Sequence, residues 1–146
     1  MSLDGAYERD NIFAKIVRGE IPAARIGEDE KTLAFMDAFP QSRGHALVVH
    51  KTSRARNLLD VEQDELAEIM NTTQRVARAV RRALEPEGIM IAQFNGSAAG
   101  QTVFHLHVHI IPRWRDAPLG RHAGGAMGDM NELNALARQI AERLER

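Results

Sequence analysis

Residues 102–113 read TVFHLHVHIIPR, and this stretch largely decides the fold. His105, His107 and His109 alternate with large apolar residues. On a helix the first two would lie about 200° apart around the axis, whereas on a strand alternate residues share a face and repeat every ~6.6 Å. Residues 102–112 are therefore predicted to form a strand with three imidazoles on one face. The opposite face would enter the core with Phe104, Leu106, Val108 and Ile110.

Three imidazoles in strict alternation favour a functional site over a solvated strand face. Zinc takes four donors, or three and a water, and three ligands from one flat strand fit one ion poorly. A neutral imidazole, whose ordinary pKa is ~6.5, can instead attack a phosphorus or acyl centre. The preceding small-residue loop, SAAGQT at 97–102, can offer backbone N–H groups to an anion. The pattern favours nucleophilic catalysis, and a metalloprotein using His105 and His109 is the alternative.

The surrounding patterns predict an α+β fold, with an antiparallel meander sheet and two main helices. Strands are expected at 23–30, 31–39, 44–51 and 89–94, and helices at 11–20, 60–85 and 130–144. Asp60 is expected to cap the long helix, with Gln63 at the capping-box position. Residues 1–146 are interpreted as one domain, with its core at about 11–113 and a C-terminal loop and helix at 114–146. Within that loop, the glycine-rich stretch 115–129 is expected to be mobile.

Composition narrows the class of protein. The chain has 146 residues, a formal net charge of -1 and no cysteine. The charge gives no electrostatic reason to expect nucleic-acid or membrane binding, although a small nucleotide could still find a local anion site. The absence of cysteine excludes disulfides and thiolate metal sites and agrees with a cytoplasmic setting. The N-terminal segment lacks the apolar core of a secretion signal.

The sequence resembles the histidine triad (HIT) family, whose signature His-φ-His-φ-His-φ-φ, with φ apolar, is matched by HLHVHII at 105–111. AGQTVF at 99–104 resembles the family's phosphate loop. The segment that begins NIFAKIVRGEIPA at 11–23 is similar to the family's N-terminal half, and most like its Hint-like branch. The resemblance implies a nucleotide-binding α+β fold, generally a homodimer, here sharing a sheet between protomers. It also implies transfer or hydrolysis of nucleotidyl groups, with no cofactor.

The resemblance assigns separate roles to the histidines. His107 would be the nucleophile at the α-phosphorus of a nucleoside phosphate. His105 would orient it through its backbone carbonyl, and His109 would contact the phosphate oxygens. His45, in GHALV at 44–48, matches an upstream histidine that supports the triad.

The resemblance also implies the nucleotide-binding residues. Asp37 would hold the ribose hydroxyls, because a carboxylate can accept two hydroxyl groups. Apolar residues would surround the base, namely Phe35, Ala38 and Phe39, with Ile12, Phe13 and Ile16 closing that pocket. Backbone or side-chain donors at the phosphate would come from Asn95, Gly100, Gln101, Thr102 and Val103.

Two departures from the family pattern stand out. Many relatives bind structural zinc through a Cys-x-x-Cys and a further histidine, where this chain has Asn11, Ala14 and Ser53, so no structural zinc is predicted. The family often carries an amide residue two before the loop glycine, where this chain has Phe94. Whether Gln93 or Asn95 reaches the phosphate is left open.

The favoured function is hydrolysis of purine nucleoside phosphoramidates such as those of AMP. One alternative is hydrolysis of dinucleoside polyphosphates, the activity of the Fhit-like branch. The other is a regulatory nucleotide-binding protein whose hydrolysis is incidental. The leaving group, the base preference and the pathway are not determined by these patterns.

Overall fold

The computed structural model describes residues 3–122 and 125–145. Met1, Ser2, Ala123, Gly124 and Arg146 lie outside the described residues, and so does part of the glycine-rich stretch expected to be mobile. The strands are β1 Arg25–Glu28, β2 Thr32–Met36, β3 Ala46–His50, β4 Gly88–Ala92 and β5 His107–Arg113. The helices are α1 Ile12–Val17, α2 Gln63–Leu84 and α3 Met130–Ala141, and a 3-10 turn spans Ser97–Ala99.

The five strands form one antiparallel sheet in the order β1-β2-β3-β5-β4, which confirms the predicted α+β class. The first three strands form the expected meander. After α2 crosses one face, the chain re-enters at the sheet edge as β4 and returns as β5 beside β3. His107 is thereby paired with Val49, and His109 with Leu47.

The sheet has two different faces. Helices α2 and α3 pack on one face, where Val108 and Ile110 of β5 join the larger buried cluster. Helix α1 packs on the other face, where Phe13 and Ile16 meet Leu47 and Val49 of β3. Because side chains alternate along β5, the imidazoles of His107 and His109 lie on the face that α1 covers.

The histidine strand is shorter than predicted, since it begins at His107 rather than at residue 102. Strand β3 ends at His50, and Val49 is its last residue paired with β5. Residues before His107 therefore have no strand to pair with, and Leu106 N–H instead donates to the carbonyl of Ala55. Leu106 is nevertheless buried in the core, as the alternating pattern predicted, whereas Phe104 is only half-buried because it lies outside the strand. His105 is also buried.

The predicted N-cap of the long helix, Asp60, is wrong by two residues. Glu62 is the N-cap of α2, and its backbone N–H lies 3.4 Å from Oε1 of Glu65, which completes a capping box. Asp60 instead accepts from the backbone N–H groups of Arg56 and Asn57, and so closes the turn before the helix. Among the described residues, no helix has the length and apolarity needed to cross a membrane.

Candidate active site

His107 lies at the centre of the site with one ring nitrogen fixed. Its Nδ1 is 2.7 Å from the backbone carbonyl oxygen of His105. A carbonyl oxygen only accepts hydrogen bonds, so Nδ1 carries the proton and Nε2 keeps its lone pair. Burial lowers the pKa of His107 to about 4. The imidazole is therefore neutral near pH 7, with Nε2 as its nucleophilic nitrogen.

The position of His105 is set by hydrogen bonds at both ring nitrogens. Nε2 donates to the carbonyl of His50 at 3.2 Å, so Nδ1 is the acceptor. The Tyr7 hydroxyl donates to that Nδ1 at 2.7 Å. Sequence reasoning did not find Tyr7, because it lies 98 residues from His105 and outside the recognisable motif. Burial lowers the pKa of His105 to about 4.

A chain of three hydrogen-bonding groups sets the tautomer of His109. The backbone N–H of Gln41 donates to Nδ1 of His45 at 3.0 Å, so the His45 proton is on Nε2. That Nε2 is 2.9 Å from Nδ1 of His109, which accepts from it. The proton of His109 is therefore on its Nε2, a buried atom with no hydrogen-bond partner among the described residues. A buried donor of this kind is suited to an anionic ligand.

Burial also keeps this pair neutral. It lowers the pKa of His45 to about 4, and it lowers the pKa of His109, which the nearby His107 and His45 lower further. Asp37 Oδ2 lies 3.4 Å from Nε2 of His45, a weak polar contact rather than an ion pair because His45 carries no charge. Burial raises the pKa of the Asp37 carboxyl to about 6, against the hydrogen bond that Oδ1 accepts from Phe39 N–H at 2.8 Å.

The residues expected around the base differ in their surroundings. Phe35 is buried in the cluster beneath α1, and its ring lies 5.5 Å from that of Phe13. Phe13 in turn meets the ring of His107 edge-on at 4.8 Å. Ile12 and Phe39 are 46% and 42% exposed, so neither is needed for core packing. Ala38 is half-buried.

The loop before the histidines is held by its own amides. Gly96 and Gly100 have φ values of +87° and +98°, a conformation that favours glycine. The buried side chain of Gln101 accepts from Gly96 N–H at 2.8 Å and donates to the carbonyls of Arg56 and Val103. Its amide therefore shapes the loop and has no free donor for a ligand. Thr102 is exposed beside it.

Asn95 also anchors this loop through its side-chain oxygen. That oxygen accepts from the backbone N–H of Leu58 at 2.9 Å and from the amide of Gln93 at 2.9 Å. The Gln93 amide additionally donates to the Phe94 carbonyl at 3.0 Å. The Gln93 amide therefore donates within the loop, and the Asn95 side chain is fixed through its oxygen, on either side of Phe94.

His122, in the C-terminal loop, is a site residue that sequence reasoning missed. Its Nε2 donates to the carbonyl of Gly100 at 2.7 Å. Its ring centroid lies 5.3 Å from that of His109 and 4.8 Å from that of Phe94. The signal was weak, because a single histidine in a glycine-rich loop carries no spacing that predicts a site.

Three of these groups could in principle hold a metal ion. Asp37, His45 and His109 each place one ligand atom within 4.8 Å of the others. The two imidazole nitrogens already share a hydrogen bond, however, so an ion would have to displace the proton between them. The geometry therefore favours a chain of hydrogen bonds between neutral groups, from Gln41 N–H through His45 to His109. This chain is called the histidine relay.

The comparisons with known proteins identify the family. The family model described as HIT domain matches residues 18–116, and the chain belongs to this family. The crystal structure of a Hit-like protein involved in cell-cycle regulation from Bartonella henselae has a TM-score of 0.90 and 41% identity. It covers 96% of this chain and 100% of that one. Another, of a hypothetical histidine triad nucleotide-binding protein from Sulfolobus tokodaii, has a TM-score of 0.81 and 31% identity, covering 90% and 89%.

One curated relative is named as an enzyme. Adenylylsulfatase HINT3 from Arabidopsis thaliana is 33% identical over 122 residues, which are 80% of this chain and 61% of that protein. This relative is consistent with the Hint-like branch. The predicted family and fold are therefore confirmed.

One relative of known structure binds zinc, whereas no structural zinc is predicted for this chain. The structure of a histidine triad family protein from Mycobacterium smegmatis, described as zinc-bound, has a TM-score of 0.77 and 37% identity, covering 92% of this chain and 94% of that one. Here Ala14 offers no ligand atom, and the side-chain oxygen of Asn11 caps α1. The Ser53 hydroxyl donates to Glu65 at 3.0 Å. These residues do not fit a tetrahedral zinc site.

Proposed function

We propose that the protein hydrolyses the bond between the α-phosphorus and a leaving nitrogen in purine nucleoside phosphoramidates. The observation that carries this proposal is the free Nε2 of His107, whose partner nitrogen is fixed at 2.7 Å by the carbonyl of His105. A neutral, oriented imidazole is a competent nucleophile at phosphorus. The buried Nε2–H of His109 supplies a donor for the phosphate oxygens.

The first step transfers the nucleotidyl group to the protein. The Nε2 lone pair of His107 forms a bond to the α-phosphorus as the bond to the leaving nitrogen breaks. The bonding electrons go to that nitrogen, which takes a proton from solvent and departs as an amine. The His105 carbonyl stabilises the positive charge that develops on the substituted imidazole, because it accepts from Nδ1–H.

The second step returns the protein to its starting state. Water attacks the phosphorus, the bond to Nε2 breaks, and its electrons return to the imidazole. The proton of the attacking water goes to solvent, which balances the proton taken up in the first step. The products are a nucleoside monophosphate and free His107.

A second candidate substrate class is the adenylyl sulfates, in which sulfate is the leaving group. The Arabidopsis thaliana relative named adenylylsulfatase favours it. The same His107 attack applies, but sulfate needs no proton to depart. Turnover of AMP-phosphoramidate should therefore be compared with turnover of adenylyl sulfate in the same preparation.

Mass spectrometry of the protein after rapid mixing with an AMP-phosphoramidate tests the proposal. We expect a transient gain of one nucleotidyl group in the unaltered protein and none in His107→Ala. Arg54→Ala, which changes an exposed residue, serves as the matched control and should form the adduct. An adduct that persists in His107→Ala, or full turnover by that variant, contradicts the assignment.

We also propose that two copies join through the β4 edge. Strand β4 is the last strand of the sheet, and Met90 and Ile91 are 37% and 45% exposed there. An edge with exposed apolar residues is a ready template for pairing with another strand. Sedimentation that shows only monomer at micromolar concentration would contradict this proposal.

A further inference from the structure

The C-terminal loop is attached to the residues that surround Asp37. Gly120 N–H donates to the Gln41 carbonyl at 2.7 Å, and the Gln41 side chain donates back to the Gly120 carbonyl at 3.1 Å. Further along, Gly128 N–H donates to the Ala38 carbonyl at 2.7 Å. Because Gln41 also orients His45, this loop and the histidine relay share one anchor. Gly120 and Gly128, which lie before and after His122 in the chain, are therefore both bonded to residues that follow Asp37.

His122, His109 and Phe94 form a group of three mutually contacting rings. Their centroids are 4.8 Å to 5.3 Å apart in all three pairs. His109 contributes a buried Nε2–H without a partner, and His122 lies against that ring while remaining half-buried. An anion that reaches His109 therefore arrives beside His122.

Phe94 occupies the position where the resemblance places an amide, and a phenyl ring cannot donate a hydrogen bond. We propose that His122 supplies the missing donor, so that His109 and His122 together hold the anionic end of the nucleotide. Phe94 acts as the surface on which the two imidazoles are oriented. This inference rests on the proposed nucleotide site, and it adds a substrate-contacting residue outside the histidine signature.

The Nε2–H donor of His122 can move to a phosphate because its present acceptor, the Gly100 carbonyl, carries no charge. His122 Nε2–H is bonded to the Gly100 carbonyl at 2.7 Å, in the loop before the histidines. A phosphate oxygen is a stronger acceptor than a carbonyl, since hydrogen bonds to ionised groups are about twice as strong. Binding of the phosphate would thus recruit the Nε2–H of His122 from the Gly100 carbonyl.

Ligand binding tests this role without requiring turnover. Calorimetry would measure AMP and adenosine binding to the unaltered protein, to His122→Ala and to Met127→Ala, an exposed control in the same loop. We expect His122→Ala to weaken AMP binding about ten-fold, the usual loss for one hydrogen bond to a charged group. Adenosine, which lacks the phosphate, should bind within about two-fold of the unaltered protein in every variant.

A rescue variant makes the test sharper. Phe94→Asn combined with His122→Ala restores an amide donor at position 94, and we expect it to bind AMP more tightly than His122→Ala alone. Three results would each overturn the inference. In His122→Ala, AMP and adenosine binding could weaken equally, or AMP binding could stay unchanged. Alternatively, the double variant could bind AMP no more tightly than His122→Ala alone. Loss of AMP binding in His122→Ala without any His107 adduct in the unaltered protein would instead refute the proposed hydrolysis and leave the role of His122 standing.

Discussion

Replacing Tyr7 by phenylalanine removes one hydroxyl group and should impair catalysis from a distance. That hydroxyl donates to Nδ1 of His105 at 2.7 Å, and the carbonyl of the same residue holds His107 at 2.7 Å. We therefore expect Tyr7 to be a positioning residue, which would act on the proposed nucleophile His107 through His105. The phenyl ring retained in Tyr7→Phe keeps the tilted ring contact with His105 at 5.7 Å.

The size of the effect follows from the bond that is lost. A net hydrogen bond contributes about 1 kcal/mol to the free energy of unfolding, and a buried acceptor left unpaired costs up to about 3 kcal/mol. If the misplacement of His107 raises the activation free energy by about 1.4 kcal/mol, kcat falls about ten-fold. KM should change little, because the hydroxyl bonds to His105 and not to a proposed nucleotide contact.

Three measurements separate positioning from a structural role. Steady-state kinetics with an AMP-phosphoramidate should show a fall in kcat alone, and urea unfolding should show the modest stability loss. Nitrogen-15 NMR should show Nδ1 of His105 as an acceptor in the unaltered protein and a shifted signal in Tyr7→Phe. Arg54→Ala changes another residue that lines the same cavity as Tyr7, and it should leave kcat unchanged. A Tyr7→Phe variant that loses stability but keeps kcat within two-fold would refute the positioning argument.

Four further outcomes are expected. Because burial raises the pKa of Asp37 to about 6, adenosine binding should weaken as the pH falls through about 6, and Asp37→Asn should abolish that step in calorimetry. Because burial lowers the pKa of His107 to about 4, kcat should stay level between pH 8 and pH 5, and a fall in kcat near pH 6.5 would show a solvated imidazole instead. Gln101→Ala should lower the free energy of unfolding by about 3 kcal/mol in urea titrations, because Gly96 N–H and the Arg56 carbonyl lose their partner, whereas exposed Thr102→Ala should cost under about 0.5 kcal/mol. Chelator treatment should leave turnover unchanged. Elemental analysis that finds one tightly bound zinc per chain would contradict the inference that Ala14 and Ser53 leave no structural zinc site.

The predicted elements were most accurate where local pattern and tertiary contacts agree. The long amphipathic helix and the final helix follow from their apolar spacing, and the side chain of Asn11 caps α1 locally. The start of β5 could not be predicted from its own residues, because it depends on where β3 ends. The cap of α2 differed from expectation because Asp60 closes the preceding turn instead, a choice set by Arg56 and Asn57.

The sequence by itself determined that residues 105, 107 and 109 share a face, because strand geometry has a period of two and their neighbours are apolar. It also identified the family, since seven consecutive positions match one signature. Only the tertiary structure decided which ring nitrogen of His105 and of His109 carries the proton. These protons are set by atoms far from the two residues in the chain, namely the Tyr7 hydroxyl and the His50 carbonyl for His105, and the Gln41 N–H acting through His45 for His109. The same is true of His122, which reaches His109 only because the C-terminal loop folds back onto Gln41.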